Sequence, residues 1–183
     1  MHNSKIKKKI ITLIGPTACN KTSTAVHLIK KFPISIIGVD SVQIYKRFNI
    51  GSAKPPKEIL EKYKHHLVDS ADPENIFSVK DFYDQAYRIV IQAHSNNRIP
   101  LLVGGTMMYF NALFKGINNI PEGNEAIREE LQRELDNRGV DKLFNELKEI
   151  DPESAKTIKQ NDKQRIMRAL EAVSYTHLTL PTT

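Results

Sequence analysis

A phosphate-binding loop is predicted near the amino terminus, where an apolar stretch at 10–14 leads into GPTACNKT. The pattern G-x-x-x-x-G-K-[ST] gathers backbone N–H groups, an ammonium and a hydroxyl around phosphate. Asn20 replaces the second glycine; it tolerates a left-handed backbone, but its side chain crowds the approach to phosphate. We therefore predict a weakened diphosphate site, formed by Gly15, Pro16, Thr17, Ala18, Cys19, Asn20, Lys21 and Thr22.

Lys21 and Thr22 carry the side-chain chemistry of this loop. The Lys21 ammonium can neutralise terminal phosphates, and the Thr22 hydroxyl can ligate Mg²⁺. The alternative is an ordinary helix start with a solvated Lys21. The preceding strand pattern and the amphipathic segment at 22–31 favour the phosphate site. Cys19 is assigned no chemistry.

A second candidate is the pair Asp40-Ser41, which directly follows the apolar stretch at 34–39. The carboxyl ends of parallel strands meet at one edge of a sheet, so Asp40 should face the phosphate loop. A carboxylate there can bind Mg²⁺ or act as a general base. Asp-Ser after a strand also commonly caps a turn, and taken alone this plainer role is favoured.

The composition is that of an ordinary globular protein, with 183 residues, 40% hydrophobic and 26% charged. The net charge of +6 suggests a polyanionic partner, although Lys5, Lys7, Lys8 and Lys9 form a basic arm that can be merely solvated. One cysteine excludes an intrachain disulfide. No apolar run has membrane-spanning length and the polar start lacks a signal-peptide pattern, so a cytoplasmic protein is expected.

Short apolar runs alternate with helical patterns, which predicts an α/β fold with a mostly parallel sheet. Strands are predicted at 10–14, 34–39, 66–68 and 100–103, several of them apolar almost throughout, as strands buried on both faces are. Helices are predicted at 21–31 and at 78–94, the second opened by a capping box of Ser78 and Asp81. Thr106 is predicted to cap a further helix that ends near residue 114.

The pattern becomes purely helical beyond residue 116. Breaks are predicted at Pro121–Gly123, at Arg138–Gly139 and at Asp151-Pro152, where proline occupies a first helical turn. A last helix is predicted at 162–173, followed by an uncharged tail that has no helical period. We assign 1–9 to the basic arm, 10–116 to the α/β core, 117–173 to an incomplete helical appendage, and 174–183 to a tail unrelated to the fold.

Seven segments taken together resemble the tRNA dimethylallyltransferase family, also called tRNA isopentenyltransferases. The resemblance runs in order from residue 10 to about 172 and departs from the family at Asn20 and Met107. It implies a P-loop NTPase-like fold with a helical insertion, with the final strand and C-terminal helices missing. The segments are the loop at 15–22, DSVQIY at 40–45, IGSAKP at 50–55, HHLVD at 65–69, DP at 72–73, LVGGTMMY at 102–109 and NDKQRIMRALE at 161–171.

The resemblance implies transfer of a dimethylallyl group to the exocyclic amine of the adenine 3′ of a tRNA anticodon. The loop would hold the diphosphate of dimethylallyl diphosphate, with Mg²⁺ bound through Thr22. By the same resemblance Asp40 accepts the amine proton, and Thr106 contacts the reacting region. The tRNA anticodon stem-loop would contact Asp40, Ser41, Val42, Gln43, Thr106, Arg128, Gln164, Arg165, Ile166, Met167 and Arg168.

Three other functions stay open at this stage. A P-loop small-molecule kinase shares the loop and the Asp after strand two, but it needs lid arginines that here lie far along the helical part. An adenylate isopentenyltransferase would use a nucleotide acceptor, and a third alternative is an inactive tRNA-binding fragment. Without the resemblance, the arginines of 165–168 are read as an ordinary solvated face. We reject a zinc site at His65-His66, because adjacent strand residues point to opposite faces.

The resemblance also sets expectations for the chain as a whole. A monomer without membrane association is expected. Because the family's final strand and covering helices would follow the point where the resemblance stops, we expect the 183-residue chain to leave a sheet edge unpaired and to be a poor enzyme.

Overall fold

The computed structural model describes residues 9–117 and 124–178. The chain divides into two compact units, Met1–Ile117 and Asn118–Thr183. Most of the basic arm, the break at Pro121–Gly123 and the last part of the tail lie outside the described residues. Among the described residues, no helix is both long and apolar enough to cross a membrane.

The first unit alternates strands and helices around a four-stranded parallel sheet of order β1-β4-β2-β3. This confirms the α/β class and the parallel sheet. Its elements are β1 Ile11–Ile14, α1 Lys21–Lys31, β2 Ile34–Val39, α2 Lys57–Lys62, β3 His65–His66, α3 Val79–Ser95, β4 Ile99–Gly104 and α4 Met107–Lys115.

Alternating side chains of the central strands pack in two layers. One set, which includes Ile36 and Leu101, lies in a cluster with Ala25 of α1. The other set, which includes Ile37 and Leu102, lies in a cluster with side chains of α3 and α4. Every residue of β2 is buried, as the apolar run predicts for a strand covered on both faces.

β1 differs from that expectation. Its burial pattern is mostly exposed, with Ile11 at 41% and Ile14 at 44% exposure. Within the described part of the chain β1 pairs only with β4, so it is an edge strand. The apolar sequence alone cannot distinguish an edge strand from a central one, because strand order depends on partners far away in the chain.

Helix starts follow local chemistry closely. Ser78 Oγ accepts from the backbone N–H of Asp81, and the Asp81 carboxylate accepts from the N–H of Ser78, which confirms the predicted capping box. In contrast, α2 is absent from the sequence prediction. It begins after Pro56, and it has Glu58 in its first turn and Lys62 in its last turn. These helix signals are present in the sequence, but the helix has only six residues.

The second unit consists of α5 Glu125–Arg138, α6 Val140–Ile150, α7 Pro152–Thr157 and α8 Lys163–Leu178. Its core contains Leu131, Leu143, Phe144, Leu147, Ala155, Ile166 and Leu170. The predicted break after residue 173 is wrong, since α8 continues to Leu178. Residues 174–178 contain neither glycine nor proline, and Ser174 Oγ donates back to the Leu170 carbonyl, so nothing there interrupts the helix.

Gly104 allows the two central strands to end side by side. It pairs with Val39, and a Cβ on Gly104 would lie 1.9 Å from the Val39 carbonyl oxygen. Backbone atoms cannot move aside as a flexible side chain can. Any side chain at this position would therefore push β2 and β4 apart where both strands end.

We expect Gly104→Ala to lower the free energy of unfolding by at least about 3 kcal/mol, measured by urea denaturation, because the clash is with backbone. Gly38→Ala is the matched control on β2, where the new Cβ would meet the Val68 Cγ2 methyl at 2.9 Å. A side-chain methyl can shift, so we expect a loss of only about 1 kcal/mol there. Equal losses for the two variants would contradict the proposed clash.

Candidate functional site

Three loops begin at the same edge of the sheet because their strands end in register. Ile14 of β1 and Val39 of β2 both pair with Gly104 of β4. The next residues along the chain are Gly15, Asp40 and Gly105. This register brings the start of the phosphate loop, the Asp40 turn and the start of α4 together, as the strand-end argument predicts.

The phosphate loop connects β1 to α1 through a left-handed backbone. Asn20 precedes the first residue of α1 with φ 58° and ψ 25°, and Ala18 also has a positive φ of 66°. The left-handed conformation expected for Asn20 at this position of the pattern is confirmed by these backbone angles. Both positions suit glycine better than any residue with a Cβ.

Lys21 folds back over the loop that precedes it. Its Nζ donates to the carbonyl oxygens of Gly15 at 2.8 Å and Pro16 at 2.5 Å, and it lies 3.6 Å from Cys19 Sγ. The ammonium is thus held on the loop itself. Lys21 is also the first residue of α1, and an anion is favoured at the amino terminus of a helix.

A cavity of about 610 Å³ opens between the loop and the segment after β2. Asp40 and Gln43 line the same cavity as the loop residues, whereas Gly15, Pro16, Ser41, Val42 and Thr106 are not part of its wall. Its wall is formed by Thr17, Ala18, Cys19, Asn20, Lys21, Thr22, Ser23, Val26, His27, Lys30, Asp40, Gln43, Ser52, Ala53, Pro56, Ile59, Val103 and Gly104.

The sequence left two roles open for Asp40, a cap of its own turn and a reactive carboxylate. Its Oδ1 accepts from the backbone N–H groups of Val42 at 2.9 Å and Gln43 at 3.1 Å, so the carboxylate does cap the turn. Its Oδ2 has no hydrogen-bond partner among the described residues. One oxygen therefore fixes the side chain, and the second is not used by the turn.

Thr106 occupies the position before α4, but its side chain does not cap that helix. Instead, Thr106 Oγ1 accepts from the backbone N–H of Ser41 at 3.0 Å, and the N–H of Thr106 donates to the Val39 carbonyl at 3.2 Å. The predicted capping contact is wrong because the end of β2 lies within reach of this hydroxyl. Thr106 therefore ties the turn that carries Asp40 to the end of β4.

Gln43 and Lys54 both hold the segment that follows Asp40 in place. The resemblance predicts an RNA contact for Gln43 and assigns no role to Lys54. Gln43 Nε2 donates to the carbonyls of Ser52 and Ala53. Lys54, with a side chain only 4% exposed, forms an ion pair with Asp69 at 2.6 Å. Its ammonium also donates to Tyr45 O and Asn49 Oδ1. No local signal identifies these partners, which come from different turns.

Tyr109 and two histidines of the first unit have shifted pKa values. Burial, followed by the nearby Tyr45 and Asp40 groups, raises the pKa of Tyr109 to about 12. Burial lowers the pKa of both His65 and His66. His65 Nδ1 lies 2.6 Å from the Tyr63 carbonyl oxygen. Within residues 9–117 and 124–178, no group of three His, Cys, Asp or Glu side chains could hold a metal ion.

The residues predicted to contact RNA in the second unit fall into two classes. Gln164, Arg165 and Arg168 are exposed on α8, whereas Ile166 is fully buried in the core and Met167 packs against it. The side chain of Ile166 faces the core because of its position on the helix, and the RNA contact of the segment 164–168 stays a prediction. Arg128, on α5, and Arg168 both form ion pairs with Glu171.

The parallel sheet, with a tight loop between its first strand and first helix, defines an α/β protein with a P-loop NTPase-like fold. A family model described as IPP transferase matches residues 43–182. The chain belongs to this family. That confirms the resemblance drawn from the sequence motifs.

Curated relatives support the same family assignment. The chain is 44% identical to the tRNA dimethylallyltransferase of Vesicomyosocius okutanii over 176 residues, which are 96% of this chain and 58% of the relative. It is also 44% identical to that of Legionella pneumophila strain Corby, covering 97% of this chain and 56% of the relative. The chain therefore spans little more than half the length of these relatives.

Solved structures support the same fold. The full-length tRNA isopentenylpyrophosphate transferase of Bacillus halodurans matches with TM-score 0.60 and 39% identity, covering 93% of this chain and 56% of that one. A eukaryotic dimethylallyltransferase acting on tRNA matches with TM-score 0.76 and 26% identity, covering 96% and 46%. These neighbours confirm the predicted P-loop NTPase-like fold.

The left-handed Asn20 generates a binding prediction. We expect Asn20→Gly to tighten inorganic pyrophosphate binding by about 1 kcal/mol, or roughly fivefold, because it removes a side chain that crowds the approach of phosphate to the backbone. Titration calorimetry would measure it. Asn97→Gly is a matched control, since Asn97 is also left-handed, with φ 52°, but lies between α3 and β4 outside the cavity wall. Equal or weaker binding in Asn20→Gly would refute the prediction.

Proposed function

We propose that the protein transfers a dimethylallyl group from dimethylallyl diphosphate to the N6 amine of the adenine next to the anticodon on its 3′ side in tRNA. The observation that carries this proposal is that Asp40, with one free carboxylate oxygen, lines the same cavity as the phosphate loop. Family membership and the names of the curated relatives support it.

The reaction needs charge neutralisation at one end of the cavity and proton removal at the other. The allylic C–O bond breaks and the diphosphate leaves with the electron pair, while the adenine nitrogen forms the new C–N bond. We assign the leaving diphosphate to the N–H groups of the loop and to Lys21, which oppose the growing negative charge. The amine proton passes to Asp40 Oδ2. An adenine amine is a poor nucleophile, so a carboxylate helps most when the proton leaves late.

The residues of the cavity fit a magnesium ion. The Thr22 hydroxyl and the Asp40 carboxylate both lie in its wall, and oxygen donors are the ligands that Mg²⁺ prefers. We propose that the Thr22 hydroxyl would hold it, which leaves Asp40 Oδ2 for the proton of the amine. When bound, the ion would supply positive charge next to the diphosphate oxygens.

Thr106 and the RNA-facing segments complete the proposal. We assign Thr106 to the reacting region through its bond to the Ser41 N–H, which fixes the turn that carries Asp40. The tRNA contacts are assigned to 40–43, Arg128 and the exposed residues of 164–168. We propose a protein that acts as a monomer in the cytoplasm, where its tRNA substrate is located.

Mass measurement tests the function directly. The chain is incubated with dimethylallyl diphosphate and either tRNA or adenosine phosphates, and the molecular mass of the acceptor is then measured. Growth of an anticodon-loop adenosine by one dimethylallyl group supports the proposal. Growth of the free nucleotide alone would instead identify an adenylate isopentenyltransferase, and phosphorylation of a small molecule with ATP would identify a kinase.

Asp40→Asn separates the two roles of Asp40. The amide oxygen can still accept the two turn N–H bonds, but the side chain can no longer take a proton. We expect kcat to fall at least ~100-fold with little change in tRNA affinity. Asp40→Ala, which loses both functions, is the comparison. Near-normal turnover in Asp40→Asn would reduce Asp40 to a turn cap.

Arg165 tests the RNA assignment with a matched control. Arg165 and Arg133 are 72% and 77% exposed, and each forms one surface ion pair. We expect Arg165→Ala to weaken binding of an anticodon stem-loop hairpin and to lower the log–log salt slope by about one unit or less. We expect much smaller changes for Arg133→Ala. Equal effects of the two substitutions would return Arg165 to a solvated helix face.

A further inference from the structure

Glu171 is a buried carboxylate in the second unit, with only 2% of its side chain exposed. Each of its two oxygens is used by a different arginine. Oε1 accepts from Arg128 Nε at 2.9 Å, and Oε2 accepts from Arg168 Nη1 at 2.5 Å. The two arginines come from different helices, α5 and α8, so the carboxylate joins side chains that are 40 residues apart in sequence.

The charges of this cluster do not cancel. Two guanidinium groups and one carboxylate leave one positive charge, and the arginine side chains are 55% and 45% exposed. A buried carboxylate is costly unless it is paired, which explains why Glu171 needs a cation. One arginine would satisfy that need. The second one calls for another explanation.

Both arginines retain donors for a further anion. Among the described residues, Arg128 Nη1 and Nη2 have no acceptor, and neither do Arg168 Nε and Nη2. A guanidinium group presents its N–H donors in a planar fork that matches two phosphate oxygens. A guanidinium group that is already held in place loses less conformational freedom when it binds than a free side chain does.

The position of Arg168 and Glu171 on α8 also favours the binding of a further anion. Gln164, Arg168 and Glu171 are separated by four and three residues, so they share one face of the helix. Ile166 and Leu170 face the core instead. The surface proposed to contact RNA and the Glu171 cluster are therefore parts of one helix face.

We propose that Glu171 is a positioning residue that holds Arg128 and Arg168 as a two-arginine clamp for backbone phosphates of the tRNA substrate. The inference rests on the proposed function. Positioning by Glu171 and simple electrostatic attraction predict opposite changes in RNA affinity. Removing the Glu171 charge makes the protein more positive, so simple attraction would tighten RNA binding, whereas loss of positioning would weaken it.

The main test compares Glu171→Gln with Glu129→Gln in the 183-residue chain. Both substitutions remove one negative charge, and Glu129 is the exposed neighbour of Arg128 on α5, 62% exposed and paired with Arg133. Affinity for an anticodon stem-loop RNA hairpin is measured over a salt series. We expect Glu171→Gln to bind about tenfold more weakly, with a lower salt slope, because its amide cannot hold both guanidinium groups. Glu129→Gln should bind as tightly as the unmodified chain or slightly more tightly.

A second variant keeps the test decisive if Glu171→Gln does not fold, which circular dichroism would reveal. Arg128→Lys keeps the charge but loses the planar fork, and we expect about threefold weaker binding with an unchanged salt slope. Arg133→Lys, on the same helix, should bind like the unmodified chain.

Each negative result overturns either the clamp alone or the clamp together with the proposed function. Unmodified chain that binds no hairpin overturns the proposed function and this inference together. Normal hairpin binding by the unmodified chain, with equal or tighter binding by folded Glu171→Gln, overturns the clamp alone. If Glu171→Gln is unfolded, unchanged binding by Arg128→Lys overturns the clamp in the same way.

Discussion

The common end point of β1, β2 and β4 is the constraint on which the candidate site depends. Ile14 and Val39 pair with Gly104 from its two sides, so the residues that follow them emerge at one edge of the sheet. Gly104 is required because the Val39 carbonyl occupies the space of its missing side chain. A shift of one residue in this register would turn the apolar side chains of β2 to the wrong layers. The position of the candidate site residues and the packing of the core therefore follow from the same hydrogen bonds.

Chemistry at this edge requires an irregular segment to hold one shape. Residues 40–56 contain no long helix or strand, yet polar side chains fix them at several points. Asp40 caps its own turn, Thr106 binds the Ser41 N–H, and Lys54 binds Asp69 from a nearly buried position. Removing Asp69 would leave the ammonium of the nearly buried Lys54 without its carboxylate, which is costly. Such a network keeps the loop in place while Asp40 Oδ2 has no hydrogen-bond partner among the described residues.

The second unit uses a related device for a different purpose. Its apolar core is ordinary, but Glu171 places a carboxylate in a buried position and thereby dictates where two arginines point. Isolated surface ion pairs, such as that of Arg133 with Glu129, contribute little and leave both side chains mobile. A buried anchor with two exposed cations is therefore better suited to presenting fixed charge to a polyanion.

The sequence by itself determined the features that depend on neighbouring residues. The bounds of α1 and β2, the capping box of Ser78 and the left-handed Asn20 all follow from local spacing and residue type. The family, too, followed from short motifs in order. Local signals failed where a residue's neighbours in space decide its role.

Only the tertiary structure decided which strand lies at the edge, what Thr106 binds and which residue holds the arginines. Thr106 and Ser41 are 65 residues apart, and Arg128 and Glu171 are 43 apart. Such partners meet through strand register and helix packing, which no local window of sequence contains. The continuation of α8 past residue 173 has a local cause instead: no glycine or proline interrupts its backbone hydrogen bonds, whatever the hydrophobic period of its side chains.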